Sequence, residues 1–168
     1  LNSWLGLNYA DDTLYINDAY NHAIRMYDIS SDTLTTLTGK ATLMGSSGYV
    51  DGSTSQVAKF NYPQSVLYHD DGIIVADTTN RVIRKIADDT VSTIAGTGSA
   101  SCGTGTDVTA TDFTINWVTG LAQNSAGDIY MTDYNCNSVY KFDPTTDTMD
   151  LITSDVSYPA GIDIGSDD

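Results

Sequence analysis

The chain has 168 residues and a formal net charge of −15, set by 7 Lys+Arg against 22 acidic residues, all of them Asp. Thr occurs 23 times and Ser 16, Glu is absent and Lys is scarce, a composition of strands and turns that excludes a helical bundle. The charge excludes nucleic-acid binding by the usual electrostatic route, and 40% apolar residues exclude a disordered acidic tail.

In chain order, the first apolar segment is Trp4-Leu5-Gly6-Leu7, followed by the turn signal Asp11-Asp12. A second run, Leu14-Tyr15-Ile16-Asn17, ends at Asp18. The polar turn Ala19-Tyr20-Asn21-His22 leads to an alternating segment, Ala23 to Tyr27. After Ser31-Asp32 comes Leu34-Thr35-Thr36-Leu37-Thr38-Gly39. The same order returns 59 residues on (14 to 73): Pro63-Gln64-Ser65-Val66, the turn Asp70-Asp71-Gly72, Ile73 to Asp77, Val82 to Ile86, the turn Asp88-Asp89, and Val91 to Gly96. It returns again 56 residues later (73 to 129), as Val118-Thr119-Gly120-Leu121, Ile129 to Asp133, Ser138 to Phe142 and Met149 to Ser154. A fourth copy opens at Pro159-Ala160-Gly161-Ile162. No apolar run is long enough to span a membrane.

Four short strands per unit, here called A to D, repeated at this period predict β-propeller blades. Strand B is apolar at nearly every residue, as expected of an inner strand packed on both faces. The expected blades span about 1–39, 60–96 and 113–154, with the first strand of a further blade over 157–168. An immunoglobulin-like sandwich does not account for three copies of one pattern. Three blades cannot close a ring, so the chain reads as a segment of a larger protein whose ends, Leu1 and Asp168, abut further blades, a second copy or a polymeric partner.

Gly48-Tyr49-Val50-Asp51-Gly52, Ala58-Lys59-Phe60-Asn61-Tyr62-Pro63, Val75 to Ile86 and Ile94-Ala95-Gly96-Thr97-Gly98 together resemble one complete NHL repeat. The first unit carries Asn21-His22 with Ile24-Arg25 after it. In the third, Cys136-Asn137 stands where Asn-His is expected and Tyr140 replaces the Arg. The resemblance covers essentially the whole chain and implies a propeller, usually of six blades. NHL relatives include metal-dependent peptide-amidating lyases that use His in the channel, and others that read RNA through a basic face, which this charge excludes.

Two His, His22 and His69, are too few for a catalytic zinc and read as surface turn residues. No cofactor is expected. Calcium is the one ion the Asp-rich turns would suit, yet none has the spacing of a known loop, and no site is defined. Asp18, Asp77 and Asp133 recur at the end of strand B and read as acceptors of backbone N–H groups in their own B–C turns. Asn21, Asn80, Arg25 and Arg84 likewise read as repeat signature, the guanidinium groups paired to nearby Asp. With 11 Tyr, and Trp4 and Trp117 near strands A, exposed aromatics at the propeller mouth would bind peptide or sugar. Packing between blades is the commoner use, and both stay open.

Cys102 lies in the loop leading into unit 3 and Cys136 in its B–C turn. Strands B and D run the same way, so these segments emerge on one face and a Cys102–Cys136 disulfide is expected. With the Asp, Ser and Thr content, this suits an extracellular protein. The expected function is a non-catalytic propeller acting as a protein-interaction or assembly module at a cell surface, in a matrix or in a filament. Its partners would be another protein or further copies of itself, with no nucleic acid and no membrane insertion. The alternative is a propeller enzyme, such as an amidating lyase, with a site completed by other blades.

Overall fold

A computed structural model describes residues 6–39, 46–53, 57–70 and 72–165. Trp4 and Leu5, Asp71, and the chain ends Leu1 and Asp168 lie outside the described residues. Strands β1 (Leu7–Ala10), β2 (Thr13–Asp18), β3 (Ala23–Asp28) and β4 (Thr33–Thr38) form one antiparallel sheet in sequential order. The two-residue strand β5 (Gly52–Ser53) precedes β6 (Ser65–His69), β7 (Gly72–Asp77), β8 (Val82–Ala87) and β9 (Thr90–Ala95). Another two-residue strand, β10 (Val108–Thr109), precedes β11 (Val118–Gln123), β12 (Ile129–Asp133), β13 (Ser138–Asp143) and β14 (Thr148–Thr153). These are three four-stranded blades of a β-propeller, all-β, with three-residue 3-10 turns and no α-helix among the described residues.

The second and third blades carry a fifth strand that the sequence reading lacked. β5 pairs with β9 and β10 with β14, so each linking loop first runs along the outer edge of the blade it leads into. That contact covers backbone groups a bare edge strand would offer to other chains.

The blades stack through two cores. Between the first and second lie Ile24, Phe60, Val66, Ile73, Val75, Ile86 and Val91. Between the second and third lie Leu67, Ile74, Ile83, Phe113, Ile115, Val118, Met131, Tyr140, Phe142 and Met149. In β7, Ile73 and Val75 thus face one way and Ile74 and Ala76 the other, the physical reason that strand is apolar from Ile73 to Ala76.

The Asp content is largely turn chemistry. Of the 13 non-glycine residues with positive φ among the described residues, eight are Asp: 11, 12, 32, 70, 88, 89, 107 and 147. Asp11-Asp12 and Asp88-Asp89 both sit in left-handed pairs, the geometry a tight hairpin requires. Asp28 and Asp143 instead accept backbone N–H groups of Ser31 and of Thr145 and Thr146. These bonds, with the Ser30 hydroxyl foremost at Asp28, hold both carboxyls below the usual range. Glycine is required where strand D ends: at Gly39 (φ 85°) and Gly96 (φ 93°) a Cβ would come within 2.5 Å of the carbonyl oxygens of His22 and Arg81.

Residues 157–165 pair with no strand among the described residues. They still join the third blade, through Thr119 Oγ1 donating to the Pro159 carbonyl (3.0 Å) and the Tyr158 N–H donating to Asn137 Oδ1 (2.9 Å).

Candidate functional site

The repeated signature residues fold inward as braces. Asp18, Asp77 and Asp133 are all fully buried. Asp18 accepts from Asn21 Nδ2 (2.8 Å) and Arg25 Nε (3.0 Å). Asp77 accepts from Asn80 Nδ2 (2.8 Å), Arg84 Nη1 (2.9 Å) and the Asn61 N–H (2.8 Å). Burial nevertheless pushes the Asp77 carboxyl up to about 6, against the pull of those donors. Among the described residues a backbone donor from the same B–C turn is seen at Asp133, which accepts from Cys136, and its other donors are the Asn116 and Trp117 N–H groups. Elsewhere the turn supplies an Asn side chain, because Asn21 and Asn80 reach the carboxylate and the Arg completes it.

Arg84 is buried entirely, lying over the Tyr49 and Phe60 rings and also bonding Asp51 and the Lys59 and Val50 carbonyls. It ties the loop before the second blade to that blade. In the third blade Tyr140 takes its place, edge-on to Phe113, and the loop is tied instead by a disulfide between Cys102 and Cys136, whose Cα atoms are 5.5 Å apart. Asp51 had no assigned role in the sequence reading.

The two histidines do not meet. His22 lies in a B–C turn and His69 at an A–B turn, on opposite faces. His69 is buried, a correction to its reading as a surface residue, because its ring reaches across to the Gly127 carbonyl of the next blade (Nε2···O 2.9 Å). His22 Nδ1 accepts the Tyr62 N–H (3.0 Å), and burial holds the imidazole below the usual His range, in the neutral form that bond needs. Neither position fits a shared metal, and no group of three His, Cys, Asp or Glu that could hold one occurs among the described residues.

What does converge is aromatic. Tyr62, Trp117 and Tyr158 occupy the same position in successive units, directly before the repeated segments Pro63 to Val66, Val118 to Leu121 and Pro159 to Ile162. Tyr20 packs edge-on against Tyr62 (5.0 Å), Tyr62 against Trp117 (6.2 Å), and Tyr134 against Tyr158 (5.1 Å). The Tyr134 N–H donates to the Trp117 carbonyl (2.9 Å), joining the two groups into one arc. Tyr20, Tyr134 and Tyr158 are exposed. Tyr62 and Tyr158 hold left-handed backbone angles (φ 56° and 49°), strained for a bulky side chain. Both are held there by the bonds from their N–H groups to His22 and Asn137. Burial, with the Tyr20 hydroxyl, pushes the Tyr62 phenol up to about 12, so it stays neutral.

The arc opens into a cavity of about 530 Å³ lined by Gly6, Tyr62, Gln64, Trp117, Thr119, Tyr134 and Ala160. Its walls come from the starts of the strand-A segments of all four units and, through Tyr134, from the third B–C turn, so it lies at the inner edge of the blades on the B–C face. The sequence reading named Trp117 here and missed Tyr20, Tyr62, Gln64, Tyr134 and Tyr158. An aromatic recurring at 62, 117 and 158 was the available signal.

No family model matches the chain, and no curated protein matches it. Solved structures do. A structural-genomics protein of unknown function from Bacteroides thetaiotaomicron superposes with a TM-score of 0.68 at 13% identity, over 95% of this chain and 41% of that one. An auxiliary nutrient binding protein from the same organism gives 0.65 at 14% identity, over 92% and 40%. Virginiamycin B lyase from Staphylococcus aureus gives 0.53 at 12% identity, over 98% and 60%. The chain spans about two fifths of the length of the first two. At these identities the likeness is one of fold.

Proposed function

We propose that this chain is a non-catalytic binding module of NHL type that takes its ligand at the aromatic mouth. The observation that carries the reading is the arc of Tyr20, Tyr62, Trp117, Tyr134 and Tyr158 around a concave, largely apolar cavity, the usual form of a binding site. The titratable residues that recur in the blades are committed to braces and latches. Two structural neighbours are auxiliary nutrient binding proteins, which agrees with a binding role. The disulfide suits an oxidising, extracellular setting. The reading includes a second copy of the chain as partner, seated on the outward face of the first blade.

Nuclear magnetic resonance mapping with a fragment library tests the site. Binders should shift the ring signals of Tyr62, Trp117 and Tyr134 together, whereas binders confined to the Asp-rich turns would contradict the reading. Turnover of a peptide or ester, abolished by His22→Ala or His69→Ala, would overturn its non-catalytic part.

A further inference from the structure

Resting on that reading, we infer that the mouth binds a neutral saccharide, a sugar ring stacked on the Tyr62–Trp117–Tyr134 wall and oriented by the Gln64 amide. The cavity lining supplies three kinds of surface. Tyr62, Trp117 and Tyr134 supply three aromatic side chains, and aromatic rings attract the weakly polarised C–H faces of a pyranose much as they attract other C–H and N–H groups. Gln64 presents an amide with donors and an acceptor, and its side chain makes no hydrogen bond among the described residues. The Tyr134 hydroxyl adds a further donor and acceptor at the rim, and it too has no bond among the described residues.

What the lining lacks is equally specific. None of its seven residues carries a charge at neutral pH, so no guanidinium or ammonium is there for a phosphate, carboxylate or sulfate. The surrounding field of −15 opposes an anion further. A cationic ligand would find no carboxylate in the cavity, because Asp133, in the adjacent B–C turn, is buried and saturated by backbone N–H groups. A ligand that is uncharged, has apolar ring faces and carries hydroxyls at its edges fits all three conditions. The volume, about 530 Å³, suits one or two sugar rings. Tyr20 and Tyr158 extend the arc on either side, so a longer chain could continue past the cavity.

The experiment is titration calorimetry of the chain with short neutral oligosaccharides of glucose, mannose, galactose and N-acetylglucosamine. An acidic oligogalacturonate and a set of uncharged tetrapeptides serve as the other arms. Trp117 fluorescence, read in a Trp4→Phe background, reports occupancy of the mouth. At least one neutral oligosaccharide should bind with little salt dependence and change that fluorescence. Its affinity should fall at least about tenfold in Trp117→Ala or Tyr134→Ala, as expected for central aromatic anchors. Gln64→Ala should weaken it several-fold, and Ile152→Ala, exposed on the outer strand β14, should leave it unchanged. Tyr134 is exposed, so its variant remains informative if Trp117→Ala fails to fold. Binding that survives both aromatic substitutions overturns the proposal. If peptides or the acidic sugar occupy the mouth while neutral sugars do not, the saccharide assignment falls and the binding reading stands. If neither these probes nor the fragment library perturb the mouth, both fall.

Discussion

A single buried cation carries much of the second blade. Arg84 has no exposed surface and holds two carboxylates, two carbonyls and two aromatic rings at once. Removing one partner of such a network leaves the others desolvated and unpaired, so Arg84→Met should cost about 3–5 kcal/mol in urea unfolding. Arg25, which keeps some exposure and chiefly bonds the buried Asp18 and Thr36, should cost less, about 1–3 kcal/mol, when changed to Ala. Equal losses at the two positions would contradict this account. Asp77 adds a pH dependence of definite sign. Its carboxyl titrates higher folded than unfolded, so between about pH 4 and 6 the native state holds the extra proton. Stability from this group is therefore fully present below about pH 4 and is lost as pH rises through about 6, flattening above. Asp77→Asn should remove that slope from a plot of urea midpoint against pH. Asp28 and Asp143, with lowered carboxyls, act oppositely, contributing stability above pH 4 that is lost on further acidification.

At the scale of elements, two of the joints between units, first to second and third to fourth, use the same latch built from different residues. The residue following each B–C turn, His22, Arg81 or Asn137, is left-handed in all three blades. Where it is His or Asn, its side chain accepts the N–H of the tyrosine leading into the next unit. Where it is Arg, which has no acceptor, Trp117 turns its N–H to Asp133 in its own blade instead. His22→Asn should therefore leave stability within about 0.5 kcal/mol, since Asn tolerates this backbone and can accept the same bond. His22→Leu should cost about 1–3 kcal/mol by orphaning the Tyr62 N–H. Thermal unfolding checks both, and equal damage from the two would point to another role for the ring. Replacing Cys102 and Cys136 together by Ser should cost about 3–4 kcal/mol at most, from the 34-residue separation they close. Blade order, strand identity and the B–C turns were legible in the sequence because each is a local pattern repeated three times. The aromatic arc, the β5 and β10 edge strands and the Asp51–Arg84 contact were not. The β5 and β10 strands and Asp51 lie in the loops that lead into the blades, the arc gathers side chains of different units, and periodicity among the strands does not say which loop crosses which edge or which unit a side chain meets. The His69 reading failed for the same reason, since its partner, Gly127, belongs to the next blade.

At the scale of the whole molecule, the two ends of the blade stack differ in chemistry. Cross-strand pairing places Leu7, Tyr9, Leu14, Tyr27 and Leu34 on the outward face of the first blade. Their counterparts in the second blade, Val66, Tyr68, Ile73, Ile86 and Val91, pack at its contact with the first blade. The outward face is thus laid out as an inter-blade contact, yet Leu7, Tyr9 and Leu34 are 57%, 59% and 51% exposed. The far face of the third blade instead carries Lys141 between Asp128 and Asp150. On the reading proposed above this face is the contact for a second copy, because burial there gains hydrophobic free energy while polar surface stays in water. With a second copy as occupant, sedimentation velocity should show association that rises with concentration. Tyr9→Asp combined with Leu34→Asp should shift the population back toward monomer, since each substitution places a carboxylate in the contact. Added salt should strengthen the wild-type association, because screening reduces repulsion between chains of charge −15 while leaving the apolar contact intact. A species that stays monomeric across the concentration range, or an association that salt dissolves, would contradict an apolar contact at this face.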